Sequence, residues 1–73
     1  MTMSQIESAL ESGGAFTLLM ADGKEYRVPH RDYISISPKK SFVVVFDDLD
    51  HAYVLPLLTM TGIAYDLKEV EKG

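Results

Sequence analysis

The chain has no cysteine among its 73 residues. That excludes disulfides, thiolate nucleophiles and Cys-type zinc sites. Long apolar runs are missing too: none approaches the roughly 20 residues that a membrane helix needs. The N-terminus carries no basic segment followed by an apolar stretch, so no signal peptide is read there. Basic residues are few, with 7 Lys and Arg against 11 Asp and Glu and a net charge of −4. Nucleic-acid binders usually carry a basic patch that neutralises phosphates, and this balance opposes such a role unless a local patch exists. A cytoplasmic protein without a membrane partner is the expectation.

What is present reads as one small domain over residues 1–73. An apolar fraction of 47% is normal for a globular chain. A chain this short buries only about 60% of its unfolded surface, so its own core is marginal. Small scaffolds usually add disulfides, a metal or a partner chain. With no cysteine, self-association is the remaining common route, and a homo-oligomer is expected.

The segment Phe16 to Val28 reads as strand, tight turn, strand, and its register follows from the side-chain pattern. A loop of Asp22-Gly23 alone would put Leu18 opposite Arg27 and mix apolar with charged residues on one face. A loop of Ala21-Asp22-Gly23 places Leu18 opposite Tyr26 and Phe16 opposite Val28, with Thr17, Glu25 and Arg27 on the other face. A one-residue slip flips every side chain, so the cleaner pattern wins. The longer loop ends in a left-handed residue, which Gly23 supplies without a Cβ penalty. Leu19 is left on the polar face.

The remaining elements are short. Ser4-Gln5-Ile6-Glu7 fits a capping box, and Ile6, Ala9 and Leu10 follow at helical spacing until Gly13-Gly14. This predicts an amphipathic helix over about residues 4–12, which must dock on a sheet or a partner to be stable. Pro29 ends the second strand, and His30–Tyr33 reads as a turn or a single helical turn. Ile34 and Ile36 alternate with serines as a short strand.

Ser41-Phe42-Val43-Val44-Val45-Phe46 is the strongest strand and is apolar on both faces over Phe42–Phe46. Either both faces are covered by protein or one face meets a partner. Residues 51–55 return as its hairpin mate, Pro56 breaks the ladder and Leu57-Leu58 turn a corner. A last strand runs over 59–65 with Gly62 as a candidate bulge, and residues 66–73 form a charged tail. The expected core is Phe16, Leu18, Met20, Tyr26, Val28, Ile34, Ile36, Val43, Val45, Val54, Ile63 and one helix face.

Two groups of residues could carry chemistry. Asp47, Asp48, Asp50 and His51 are the densest potential metal ligands, but a calcium loop wants a Gly for its sharp turn and a distal carboxylate, and both are missing here. A solvated hairpin tip is the plainer reading, so no metal or cofactor is expected. Arg27, Arg31, Tyr33, Lys39 and Lys40 lie in the middle third, where basic residues beside an aromatic could bind a nucleic-acid strand. A solvated rim balanced by Glu25 and Asp32 is the plainer reading. His30 and His51 match no nucleophile or triad spacing, and no enzyme is expected.

The element order of short helix, strand, Asp-Gly turn, strand, short strand, hairpin, corner and last strand resembles the Sm-like small barrel. Phe16–Val28 looks like that family's opening hairpin. Asp32-Tyr33-Ile34 lies where the family carries an acidic residue before an apolar strand. Pro56 to Ile63 looks like its corner before the last strand. The resemblance implies an all-β, five-stranded antiparallel Sm-like or SH3-like barrel with a short N-terminal helix, assembled into rings through edge strands and often binding RNA. The family's Asn after the acidic residue is absent, with Ser35 and Ser37 in that region. Its Arg-Gly or Lys-His pair is replaced by Leu55-Pro56-Leu57, so its RNA contacts do not transfer. The pattern F-x-L-x-x-x-D-G…V-x-H-x-D-Y-I-x-I-S-P also resembles a small uncharacterised bacterial family and implies no activity. The expected function is a non-enzymatic oligomerising or scaffold module, with RNA binding as the alternative.

Overall fold

The computed structural model describes residues 2–65. A helix α1 (Met3–Glu11) precedes strands β1 (Phe16–Met20) and β2 (Glu25–Val28). A 3-10 turn (Arg31–Tyr33) leads to β3 (Ile34–Ile36), β4 (Phe42–Phe46) and β5 (Ala52–Pro56). A second 3-10 turn (Leu57–Thr59) leads to β6 (Met60–Tyr65). The charged tail expected over 66–73 lies outside the described residues.

The six strands form two antiparallel three-stranded sheets, ordered β2-β1-β6 and β3-β4-β5. Neither closes on itself, and with α1 the protein is mixed α/β. The five-stranded Sm-like or SH3-like barrel expected from the sequence is therefore not formed. Closure would need hydrogen bonding to pass from one sheet into the other at their junctions. Pro29 has no N–H to donate, and the chain leaves β2 through a 3-10 turn before β3. At the other junction Pro56 ends β5, and the second 3-10 turn sends β6 back to β1.

The opening hairpin has the register that its side-chain pattern predicts. Phe16 pairs with Val28 and Leu18 with Tyr26, and Gly23 is left-handed at φ 90°. The Gly23 amide donates to the Met20 carbonyl at 3.0 Å, and Asp22 Oδ1 accepts from the Lys24 amide at 2.9 Å. Leu19 also finds its place. It pairs with Gly62 across β6, and the open space above that glycine receives the Leu19 side chain, whose Cδ1 lies 3.7 Å from where a Cβ would stand. The register between β1 and β6 shifts beside this pair, between Leu19 and Met20.

The N-cap lies two residues before the expected Ser4, and the helix starts at Met3. Thr2 is the extended N-cap, and Gln5 Oε1 accepts from the Thr2 amide at 2.9 Å. Ser4 with Glu7, the capping pair expected from the sequence, instead falls inside the helix. The earlier pair brings Met3 into the buried face alongside Ile6 and Ala9.

The core joins that helix face to Phe16, Leu18, Met20, Val28, Ile34, Val43, Val45, Leu55 and Met60. Tyr26, Ile36 and Ile63 pack against it half-buried. Val54, expected inside, is 62% exposed. The cause is a one-residue phase error on β5. Leu55 pairs with Val43 and Tyr53 with Val45, so these point inward, while Val54 pairs with Val44 on the opposite face.

Candidate functional site

The two faces of β4 differ sharply in burial. Val43 and Val45 are sealed in the core. Phe42, Val44 and Phe46 point to the other side and pair with Pro56, Val54 and Ala52 of β5. This outer face carries no charged side chain on β4 or β5. On β3 it carries Ser35, which pairs with Val44. Phe42 is 37% exposed, Val54 is 62% exposed, and Ala52 and Pro56 are exposed at its border. A solvated antiparallel face ordinarily alternates apolar inward with polar outward. Here the outward set is apolar, the property by which interaction surfaces are distinguished from scattered exposed hydrophobics.

Both ends of this face are held by ordered turns. At one end the buried Ser37 hydroxyl oxygen accepts from the Ser41 and Phe42 amides at 3.0 and 3.3 Å. The Lys40 amide closes the same turn on the Ser37 carbonyl at 2.9 Å. This turn presents Lys39 and Lys40.

At the opposite end Asp47 organises the β4–β5 turn. Its Oδ1 accepts from the Leu49 and His51 amides, each at 2.9 Å. Its Oδ2 accepts from the Tyr53 hydroxyl at 3.0 Å and lies 3.1 Å from His51 Nδ1. The His51 amide leads the donors that hold the Asp47 carboxyl at about 2, against an opposing effect of burial. The same contact raises the Tyr53 hydroxyl above its ordinary value, because the phenol donates to a carboxylate. Tyr53 in turn packs against Tyr26 of the first sheet, ring centroids 5.3 Å apart. A metal ion at this tip would compete for carboxylate oxygens already committed to the turn. Among the described residues no three His, Asp or Glu side chains are gathered to hold one.

The five residues read from the sequence as a nucleic-acid surface fall on one strand and two turns, with Arg31 and Lys40 both beside Glu7 of α1. Arg27, on β2, lines a shallow groove with Glu25, Asp47 and Tyr53. Arg31, in the first 3-10 turn, lines a different one with Glu7 and Glu11 of α1. Lys40 Nζ sits 3.1 Å from Glu7 Oε2. Lys39 is exposed beside it. Tyr33 donates its hydroxyl to Asp48 Oδ1 at 2.7 Å and meets the His30 ring edge-on at 4.7 Å. Both arginines and Lys40 thus have carboxylates as neighbours.

The two histidines serve their turns as well. His30 Nδ1 accepts from the Asp32 amide at 3.4 Å, and His51 stands over Asp47.

Sequence reasoning found the two-sided apolar character of β4 but missed Ala52, Val54 and Pro56 as its continuation. The signal was available in the hairpin register: once Val43 is inside, Leu55 opposite it is inside and Val54 is not. The sequence reads Asp47 to Asp50 as a hairpin tip; what it left unassigned is that Asp47, which opens the turn, accepts the Leu49 and His51 amides and organises it.

In class, the fold and this surface describe a small β-rich protein with one buried and one partly exposed apolar face on its second sheet, where Phe42 and Val54 are exposed and Val44 and Phe46 half-buried. No protein-family model, curated protein or solved structure matches the chain. No helix among the described residues is long and apolar enough to cross a membrane.

Proposed function

We propose that this protein is a non-enzymatic module that works by self-association, as an oligomer or a scaffold. The observation that carries the reading is the apolar outer face of β3-β4-β5, where Phe42, Val44, Phe46, Ala52, Val54 and Pro56 stand together with no charged residue between them on the paired strands. Exposing such a face costs solvation free energy at about 25 cal/mol per Å² of apolar surface, and covering it recovers that amount. A chain of 73 residues with a single small core gains most from such a contact. The roles of the two imidazoles support the non-enzymatic part, since both act as braces for turns.

Light scattering over a concentration series tests the reading. A mass that rises above 8.1 kDa with concentration is expected. A monomer at several hundred micromolar would overturn it.

A further inference from the structure

We infer that the occupant of the uncovered β3-β4-β5 face is the same face of a second copy, with the strands of the two sheets antiparallel. The inference rests on the self-association proposed above and adds its surface, symmetry and register.

The argument begins with charge placement. β4 is five residues long, about 17 Å. The turn before it carries Lys39, exposed, and Lys40, which is paired with Glu7 of α1, so Lys39 supplies the positive charge at this end; the turn after it carries Asp47, Asp48 and Asp50. The apolar face therefore has a basic end and an acidic end. Two copies can place this face against itself with a two-fold axis along the strands or across them. An axis along the strands stacks lysines on lysines and aspartates on aspartates. An axis across them sets each basic end over the partner's acidic end, twice by symmetry. Sheets packed face to face stand about 10 Å apart, a gap that lysine and aspartate side chains on the turns can bridge. Aligned sheet packing rotates the strands by only about 30°, which leaves the ends superposed. Like charges brought together across an interface disfavour the first arrangement, and complementary ends favour the second.

The apolar centre suits the same geometry. Val44 is the middle residue of β4 and pairs with Val54, the middle residue of β5. An axis passing by this pair lays the two β-branched pairs over each other and Phe42 of one copy near Phe46 of the next. Three strands about 4.8 Å apart and at most about 17 Å long make a face smaller than the roughly 800 Å² per partner of a standard interface. A dimer that dissociates on dilution, with the charged ends contributing to register, is the expected form.

Sedimentation of the full chain at 50 and 500 mM salt, with four variants, tests this. Val54→Lys should abolish the dimer, and Val54→Thr, which keeps the branched strand geometry, should weaken it. Lys39→Glu and Asp48→Lys should each weaken it at least several-fold, and mixing these two in equal amounts should restore it as a heterodimer, because both ends are then complementary again. High salt should weaken the native dimer and the mixed one alike. Thermal melts confirm that each variant folds.

A monomeric native chain would overturn both this inference and the function on which it rests. A dimer indifferent to Val54→Lys would overturn the inference alone and assign the face to another occupant. A dimer lost in Val54→Lys but unchanged by either charge reversal, or not restored on mixing, would overturn the antiparallel register.

Discussion

The Tyr33 hydroxyl donates to Asp48 Oδ1 at 2.7 Å, joining two segments 15 residues apart in the chain. This bond ties the 3-10 turn before β3 to the turn between β4 and β5. It also raises the Tyr33 hydroxyl above its ordinary value, first through the hydrogen bond and then through the Asp48 charge. Tyr53 is raised by the same mechanism through Asp47.

Alkaline titration followed by tyrosinate absorbance should therefore show two phenols ionising above the usual range. A group whose folded value is raised adds stability that is present below its unfolded value and is lost as pH rises through the folded one. The fold should accordingly weaken at alkaline pH as these two bonds break. Tyr33→Phe should remove one late-titrating phenol and leave the other, with a small loss of stability on a thermal melt.

Acid gives the opposite sign. Asp47 is held at about 2 in the folded chain, below the usual Asp value of about 3.9. Its contribution is fully present above the unfolded value and fades as pH falls from about 4 towards 2. Melting temperatures measured between pH 7 and pH 2 should fall more steeply in the native chain than in Asp47→Ala. At neutral pH that variant should be the less stable one, because it leaves the Leu49 and His51 amides without their acceptor.

Core truncation offers the largest effects. Phe16 and Leu18 are fully buried on β1, the central strand of the first sheet. Leu18→Ala should cost about 2–5 kcal/mol, and Phe16→Ala about 3–5 kcal/mol. Against a total of about 5 kcal/mol for so small a domain, urea melts should find Phe16→Ala largely unfolded. Val54→Ala, by contrast, should leave the melt within about 1 kcal/mol of the native chain. The barrel-type core expected from the sequence ranks Val54 with Val43, and this pair of measurements separates the two arrangements.

Two glycines should respond oppositely to alanine. At Gly23 the backbone is left-handed, with φ 90° and open space where a Cβ would go, so Gly23→Ala should cost about 1–2 kcal/mol from backbone strain alone. At Gly62 no such dihedral is imposed, and a Cβ would meet Leu19 Cδ1 at an ordinary 3.7 Å. Gly62→Ala should be neutral or stabilise the fold by about 0.4–1 kcal/mol by restricting the unfolded chain. Chemical denaturation of both variants checks the pair.

Local features proved the most legible in the sequence. The Phe16–Val28 hairpin was readable to the residue because alternation and the left-handed Gly23 point to the same register. The strand end at Val28 was readable because Pro29 cannot donate to a ladder, whereas Pro56, expected to break the ladder after Leu55, is still paired with Phe42 and is the last residue of β5. The assembly of strands into sheets was not readable to the same degree. Whether β6 returns to β1 or continues a barrel depends on geometry at Pro29 and at Leu57–Thr59, where sequence gives a break but not its angle. The resemblance to a closed barrel supplied an angle that the molecule does not adopt. For the candidate surface, the run Phe42–Phe46 announced two apolar faces. Nothing in the run itself says which face is inside, and that phase is set by Ile34 and Ile36 facing Val45 and Val43 across the sheet. The basic residues of the middle third are close in sequence, yet they fall on a strand and two separate turns.

The order of the strands along the chain has a consequence for how the molecule assembles. β3, β4 and β5 are consecutive, so the sheet with the uncovered face arises entirely from short-range pairing. The first sheet waits for β6 to return to β1, a closure marked by the Thr61 hydroxyl donating to the Leu19 carbonyl 42 residues away. Long loops close late and slowly. Topology thus separates the two sheets: the apolar outer face of β3-β4-β5 is built from residues 34–56 alone, whereas the seam between β1 and β6 draws on nearly the whole described chain.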